Sequence, residues 1–127
     1  MDRDNKTIAV VGASNDRRKF GNKCVRAYKA AGYEVFPVNP YQTTIEELAA
    51  YPKLSEVPVE LDRISIYLPP PTTRQLVGEI AGKGAGEVWF NPGSANVEIL
   101  EKARQAGIEV RSGCSIVDIG LSPGQFS

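Results

Sequence analysis

Short apolar runs alternate with amphipathic segments along the chain, and this alternation constrains the fold more than any other feature. The apolar runs are typical of buried strands and cover residues 7–11, 33–38, 63–68, 87–90 and 108–111. Between them, apolar residues recur at helical spacing, as at Val25, Tyr28 and Ala31. Such alternation predicts parallel strands joined by right-handed helical crossovers. We therefore expect an α/β fold: one three-layer α/β/α domain over residues 1–127, with an open, doubly wound sheet of about five parallel strands.

Capping residues predict where the helices begin and end. The first helix lies within residues 22–31, and Gly32 follows as its C-cap. The remaining helices begin at the candidate N-caps Thr44, Thr72 and Asn96. At the first two of these, an acidic or amide residue three positions later completes a capping-box pattern. The helix that starts at Thr44 is expected to be short, and the chain after residue 112 shows no pattern that assigns an element.

Several classes of protein are excluded by what the sequence lacks. The chain has no histidine, which removes triads that depend on His, phosphohistidine relays and most zinc or iron sites. Its two cysteines, Cys24 and Cys114, do not form a CxxC motif, and we expect both to be reduced thiols. No apolar run approaches the roughly 20 residues that span a bilayer, and the polar start is unlike a signal peptide. We expect a cytoplasmic protein with no metal site and no membrane partner.

Basic residues are concentrated in the first part of the chain. Residues 1–29 hold eight basic and three acidic side chains, whereas the net charge of the whole chain is zero. A local positive field of this kind favours an anionic ligand. Overall neutrality argues against a nucleic-acid partner.

A ligand of such a sheet is expected at the carboxyl ends of the strands, where the strand order reverses. The turn after the first strand, residues 12–21, leads into a helix whose free N–H groups bind phosphate. Gly12 lets the backbone approach that phosphate closely, Ser14 offers a hydroxyl donor, and Lys19 adds a positive charge.

The first turn nevertheless departs from the patterns of the common nucleotide-binding proteins. It lacks the second glycine of G-x-G-x-x-G, and no P-loop motif occurs anywhere in the chain. Asn39 follows the second strand, where an NAD site has an acid for the ribose hydroxyls. The chain is also too short to add a substrate domain. A standard NAD-dependent dehydrogenase is therefore disfavoured.

Several segments together resemble the small CoA-binding protein family, a stand-alone relative of the CoA-binding domain in succinyl-CoA synthetase and ADP-forming acetyl-CoA synthetase. These segments are residues 8–14, 19–21, 32–40 and 91–96, and the ending from Cys114 through residues 124–126. The resemblance implies a Rossmann-like fold that binds coenzyme A or an acyl-CoA, with the ADP part over the first turn and the adenine near the second. The positions that match the family's binding sites are Gly12, Ala13, Ser14, Lys19, Asn39 and Pro40, and more loosely Tyr67, Pro69 and Pro70.

The leading hypothesis is a CoA-binding module without catalysis of its own, with no catalytic residue and no indicated protein partner. The synthetases that it resembles place their phosphorylated histidine in a separate domain, and this chain has no histidine. Two alternatives depend on Cys114. It could be the nucleophile of an enzyme that acts on a nucleotide or acyl-CoA, or it could form a mixed disulfide with the CoA thiol in a redox sensor.

Overall fold

The computed structural model describes residues 6–127. Its strands are β1 (Thr7–Val11), β2 (Glu34–Val38), β3 (Thr44–Ile45), β4 (Leu48–Ala49), β5 (Arg63–Ile66), β6 (Glu87–Phe90) and β7 (Val110–Ser112). Its α-helices are α1 (Phe20–Ala30), α2 (Pro70–Lys83), α3 (Val97–Gln105) and α4 (Ser115–Asp118). Two short 3₁₀ helices cover Leu54–Glu56 and Pro123–Phe126.

Five strands form one parallel sheet in the order β2-β1-β5-β6-β7, which confirms the predicted Rossmann-like sheet. The chain moves outward from β1 to β2 and then returns to place β5 on the other side of β1. The strand order therefore reverses at β1. The crevice beyond the carboxyl ends of β1 and β5 is the position where sheets of this type bind ligands.

Both faces of the sheet are covered because β1 is apolar on both of its sides. Ile8 and Val10 pack against α1 and α4 on one face, in a cluster that includes Cys24, Val25, Tyr28 and Ile116. Ala9 and Val11 belong to the opposite cluster, which contains Ile80 of α2 and Ala103 of α3. Helices therefore lie on the two faces of a central sheet, as the unbroken apolar run predicted.

The prediction of a short helix starting at Thr44 is wrong, because residues 44–49 form the antiparallel hairpin β3–β4. Glu46 and Glu47 make its two-residue turn, with φ of 49° and 67°. The capping-box pattern is overridden by tertiary contacts. Ile45 is fully buried against the α1 side of the core, and the Glu46 carboxylate accepts a hydrogen bond from Asn22 Nδ2 at 3.0 Å.

The N-cap predicted at Thr72 lies three residues too late, because the observed N-cap is Pro69 and α2 begins at Pro70. Proline suits the first helical position because its fixed φ is helical and its missing N–H has no intrahelical acceptor there. The Asn96 cap is confirmed, since its Oδ1 accepts a hydrogen bond from the Ile99 N–H at 2.9 Å. In the unassigned tail, α4 and the last 3₁₀ helix form. Within residues 6–127, no helix is long and apolar enough to cross a membrane.

The end of β1, the start of α1 and the end of β5 meet with backbone against backbone. A Cβ on Gly12 would lie 2.2 Å from the carbonyl oxygen of Tyr67, and Gly12 has a φ of +90°. A Cβ on Gly21 would lie 2.2 Å from the carbonyl oxygen of Gly12. The expectation that Gly12 lets the backbone approach a phosphate closely stays a prediction, because the packing alone already requires glycine here. The fold itself excludes a side chain at this position.

We expect Gly21→Ala to lower the free energy of unfolding by about 1–3 kcal/mol, because the added methyl group forces α1 away from the turn. Gly78→Ala is the matched control, since Gly78 is also helical but has no atom within 4 Å of an added Cβ. That change should raise stability by up to about 1 kcal/mol through helix propensity. Urea denaturation of the two variants measures the difference. Equal stability of Gly21→Ala and the wild-type chain would contradict the packing described here.

Candidate functional site

Two adjoining clefts lie at the carboxyl edge of the sheet. The turn cleft, of about 460 Å³, is lined by the first turn together with residues 67–69 and 92–94. The apolar cleft, of about 730 Å³, is lined by residues 38–41 and 52–55 and by one side of α2. Gly12, Asn39, Leu68 and Pro69 line both clefts, so that the two are continuous.

The structure brings together eight of the nine residues that the sequence singled out. The seven in the turn cleft are Gly12, Ala13, Ser14, Lys19, Asn39, Tyr67 and Pro69. Pro40 lines the apolar cleft. Pro70, the first residue of α2, lines neither cleft. The clefts occupy the crevice at which the strand order reverses.

Protein donors hold the carbonyl groups of the first turn. The Ala13 carbonyl accepts a hydrogen bond from Asn39 Nδ2 at 2.8 Å, and the Ser14 carbonyl accepts one from Asn22 Nδ2 at 2.8 Å. The Ser14 hydroxyl oxygen accepts from the Asp16 N–H at 3.0 Å, which leaves its proton available for a ligand. Two carbonyl dipoles that would repel an anion are thereby engaged within the protein.

Asn39 fastens the second turn to the first. Its Nδ2 donates to Ala13, while its Oδ1 accepts a hydrogen bond from the Tyr41 N–H at 2.7 Å. A carboxylate here could not donate to the Ala13 carbonyl. The amide that replaces the ribose-binding acid of NAD sites therefore has a structural use of its own.

One positive charge on the first turn is unpaired. Arg17 forms an ion pair with Glu46 at 3.3 Å, and Arg18 pairs with Asp16 at 3.0 Å. Hydrogen bonds from Arg18 lower the pKa of Asp16 to about 2. Lys19, the exposed N-cap residue of α1, forms no ion pair within residues 6–127. It lines the turn cleft beside the N–H groups of Phe20 and Gly21, which have no intrahelical acceptor.

A buried polar cluster beneath the turn cleft is absent from the sequence-based expectations. The Ser65 and Ser115 hydroxyl groups lie 2.7 Å apart, and Asn91 Nδ2 donates to Ser65 Oγ at 2.8 Å. The Ser115 N–H donates to Asn91 Oδ1 at 2.9 Å. The Tyr67 hydroxyl lies 3.5 Å from Ser115 Oγ. These bonds tie α4 to the sheet and fix the turn that follows β6. The sequence feature that could have indicated this cluster is Ser65, which lies inside the apolar run of β5, because a buried hydroxyl group needs hydrogen-bond partners.

The two cysteines differ in exposure. Cys24 is fully buried, and burial raises the pKa of its thiol to about 11. Cys114 is the half-buried N-cap residue of α4 and lines neither cleft. Cys24 is therefore protected from reaction in the folded protein.

We expect a thiol-reactive aromatic disulfide at pH 8 to modify one cysteine in the folded protein, Cys114, and both cysteines in denaturant. Thiolate is the reactive form, and burial keeps Cys24 protonated as well as inaccessible. Release of the coloured thiol measures the count, and Cys114→Ser should show no rapid reaction before unfolding. Rapid modification of Cys24 in that variant would contradict the assignment.

The CoA-binding domain family model matches residues 6–119. The chain is 36% identical over 114 residues to the alpha subunit of the ADP-forming acetate–CoA ligase II of Pyrococcus furiosus, covering 81% of this chain and 25% of that one. It is 33% identical over 117 residues to the ADP-forming acetate–CoA ligase II of Archaeoglobus fulgidus, covering 83% of this chain and 17% of that one. The chain thus spans a quarter or less of these two ligases.

Solved structures of similar length share the fold. A conserved hypothetical protein of Pyrococcus furiosus superposes with a TM-score of 0.82 at 36% identity, covering 89% of this chain and 98% of that one. A Thermus thermophilus protein gives a TM-score of 0.84 at 28% identity, covering 91% and 89%. The fold and the crevice at β1 define a Rossmann-like α/β domain, and the match over residues 6–119 shows that the chain belongs to the CoA-binding domain family.

Proposed function

We propose that this chain binds coenzyme A or an acyl-CoA across the two clefts and acts as a binding module without catalysis. The observation that carries the proposal is that two continuous clefts, one suited to an anion and the other apolar, lie side by side at the crevice of the sheet. One has a helix N-terminus and an unpaired lysine, and the other has mainly apolar walls. The ADP part of CoA combines the two corresponding chemical groups, because a ribose joins its charged pyrophosphate to an aromatic base.

The pyrophosphate is proposed to lie in the turn cleft. The first N–H groups of α1, at Phe20 and Gly21, lack intrahelical acceptors, and the dipole of this 11-residue helix favours an anion there. Lys19 supplies the compensating charge and Ser14 a hydroxyl proton. The engagement of the Ala13 and Ser14 carbonyls by asparagine side chains supports the same placement.

The adenine is proposed to lie in the apolar cleft. Leu68, Leu76 and Ile80 line one side of this cleft, and Pro40 and Tyr41 border it on the β2 side. A planar base buries apolar area against such walls. Tyr41 has 88% of its surface exposed, so that its ring is available to cover the base.

The absence of catalysis is proposed from the positions of the thiols. Cys24 is buried with a raised pKa, and Cys114 is outside both clefts. The two hypotheses that rely on Cys114, a nucleophilic enzyme and a redox sensor, receive no support from this geometry. The cytoplasmic location and the single domain over residues 1–127 stay predictions.

We expect calorimetry to show that CoA binds at micromolar to millimolar strength and that NAD binds more weakly. The physical reason is the missing acid after β2, since the Asn39 side chain is committed to Ala13 and Tyr41. Tighter binding of NAD than of CoA would overturn the proposed function.

We expect Lys19→Ala to lower the affinity for CoA and for dephospho-CoA equally, by about tenfold, because both ligands carry the pyrophosphate. The loss should shrink as salt is added, since ions screen the contact. Lys102→Ala is the control, because Lys102 is exposed on α3 and lines neither cleft. Titration calorimetry at two ionic strengths gives the comparison. An unchanged affinity of Lys19→Ala for both ligands would place the pyrophosphate elsewhere.

A further inference from the structure

A carboxylate stands in the wall of the apolar cleft. Glu79 lies on α2 between the apolar residues Leu76 and Ile80, which line the same cleft, and its side chain is half-buried. Its Oε2 accepts a hydrogen bond from the Ser55 N–H at 3.0 Å. Because Ser55 lies in the 3₁₀ helix Leu54–Glu56 on the other side, this bond holds the carboxylate in a defined position.

The second oxygen of this carboxylate is available to a ligand. Within residues 6–127, Glu79 Oε1 has no hydrogen-bond donor, and Glu79 forms no ion pair. An aromatic ligand that fills the cleft displaces water from this oxygen. Loss of that hydration is unfavourable unless the ligand supplies a donor of its own. The cleft therefore favours a ligand with an N–H or O–H group at this wall.

We infer that Glu79 is a specificity-determining residue that accepts a hydrogen bond from the 6-amino group of a purine base, so that the cleft selects adenine over 6-oxo purines. This inference rests on the proposed function, which places the base in the apolar cleft. The 6-amino group of adenine is a donor, whereas the 6-oxo group of hypoxanthine or guanine is an acceptor. With the base held in the same position, the 6-oxo group would face the Glu79 oxygen as a second acceptor, and the neighbouring N1–H could reach that oxygen only after a shift of the base.

The test compares CoA with its hypoxanthine analogue, which carries the same phosphates and the same pantetheine arm. We expect the wild-type chain to bind CoA about 10- to 100-fold more tightly than the analogue, as befits a hydrogen bond to a charged group. In Glu79→Gln, the amide oxygen can still accept from Ser55 while the NH₂ group becomes a donor towards the base. This variant should bind CoA more weakly and the analogue more tightly, which reduces or reverses the preference.

Glu101→Gln is the matched control, because Glu101 is exposed on α3 and its ion pair with Arg104 is also exposed. It should keep the wild-type preference. Equal wild-type affinity for CoA and the analogue would overturn the inference while leaving the proposed function in place. An equal loss of affinity for both ligands in Glu79→Gln would also overturn the inference, since that pattern indicates a contact with the ribose or a structural role. If neither compound binds the wild-type chain, the proposed function fails and the inference fails with it.

Discussion

The contact among the backbones of Gly12, Gly21 and Tyr67 determines the geometry on which the rest of the site depends. No side chain separates the three segments, so that α1 begins directly against the end of β1 and β1 lies close to the residue that follows β5. This approach directs the N-terminus of α1 into the crevice between the strands. If α1 were displaced by the width of a methyl group, its first N–H groups would no longer lie at the same point in the crevice.

Two asparagine side chains hold the first turn in place by donating hydrogen bonds to its backbone carbonyl groups. Asn22 donates to the Ser14 carbonyl and to Glu46 of the hairpin, while Asn39 donates to the Ala13 carbonyl. The hairpin β3–β4 and the end of β2 are thus fastened to the same short segment. An amide carries donor and acceptor at once without adding charge, and it can therefore brace an anion site without repelling the anion.

The sheet and the position of its crevice could be predicted from the sequence because both follow from the periodicity of apolar residues. The hairpin could not, since Glu46 and Glu47 have positive φ, which such residues rarely adopt, and the Asn22 bond and the burial of Ile45 that accompany it involve distant parts of the chain. The start of α2 was misplaced because its cap is a proline and not a side-chain acceptor. The polar cluster of Ser65, Asn91 and Ser115 joins residues up to 50 positions apart, and local patterns carry no information about such partners.

One ligand is proposed to span the carboxyl edge of the sheet from the first turn to the apolar cleft. Amide NMR of the ¹⁵N-labelled protein titrated with CoA measures this placement, because each backbone N–H reports on its own surroundings. The largest shifts are expected for the N–H groups of residues 12–14, of Asn39 and Tyr41, and of Tyr67 and Leu68, which lie in three separate parts of the chain and meet at this edge. Shifts centred on the opposite edge of the sheet, at residues 60–62 and 83–85, would contradict it.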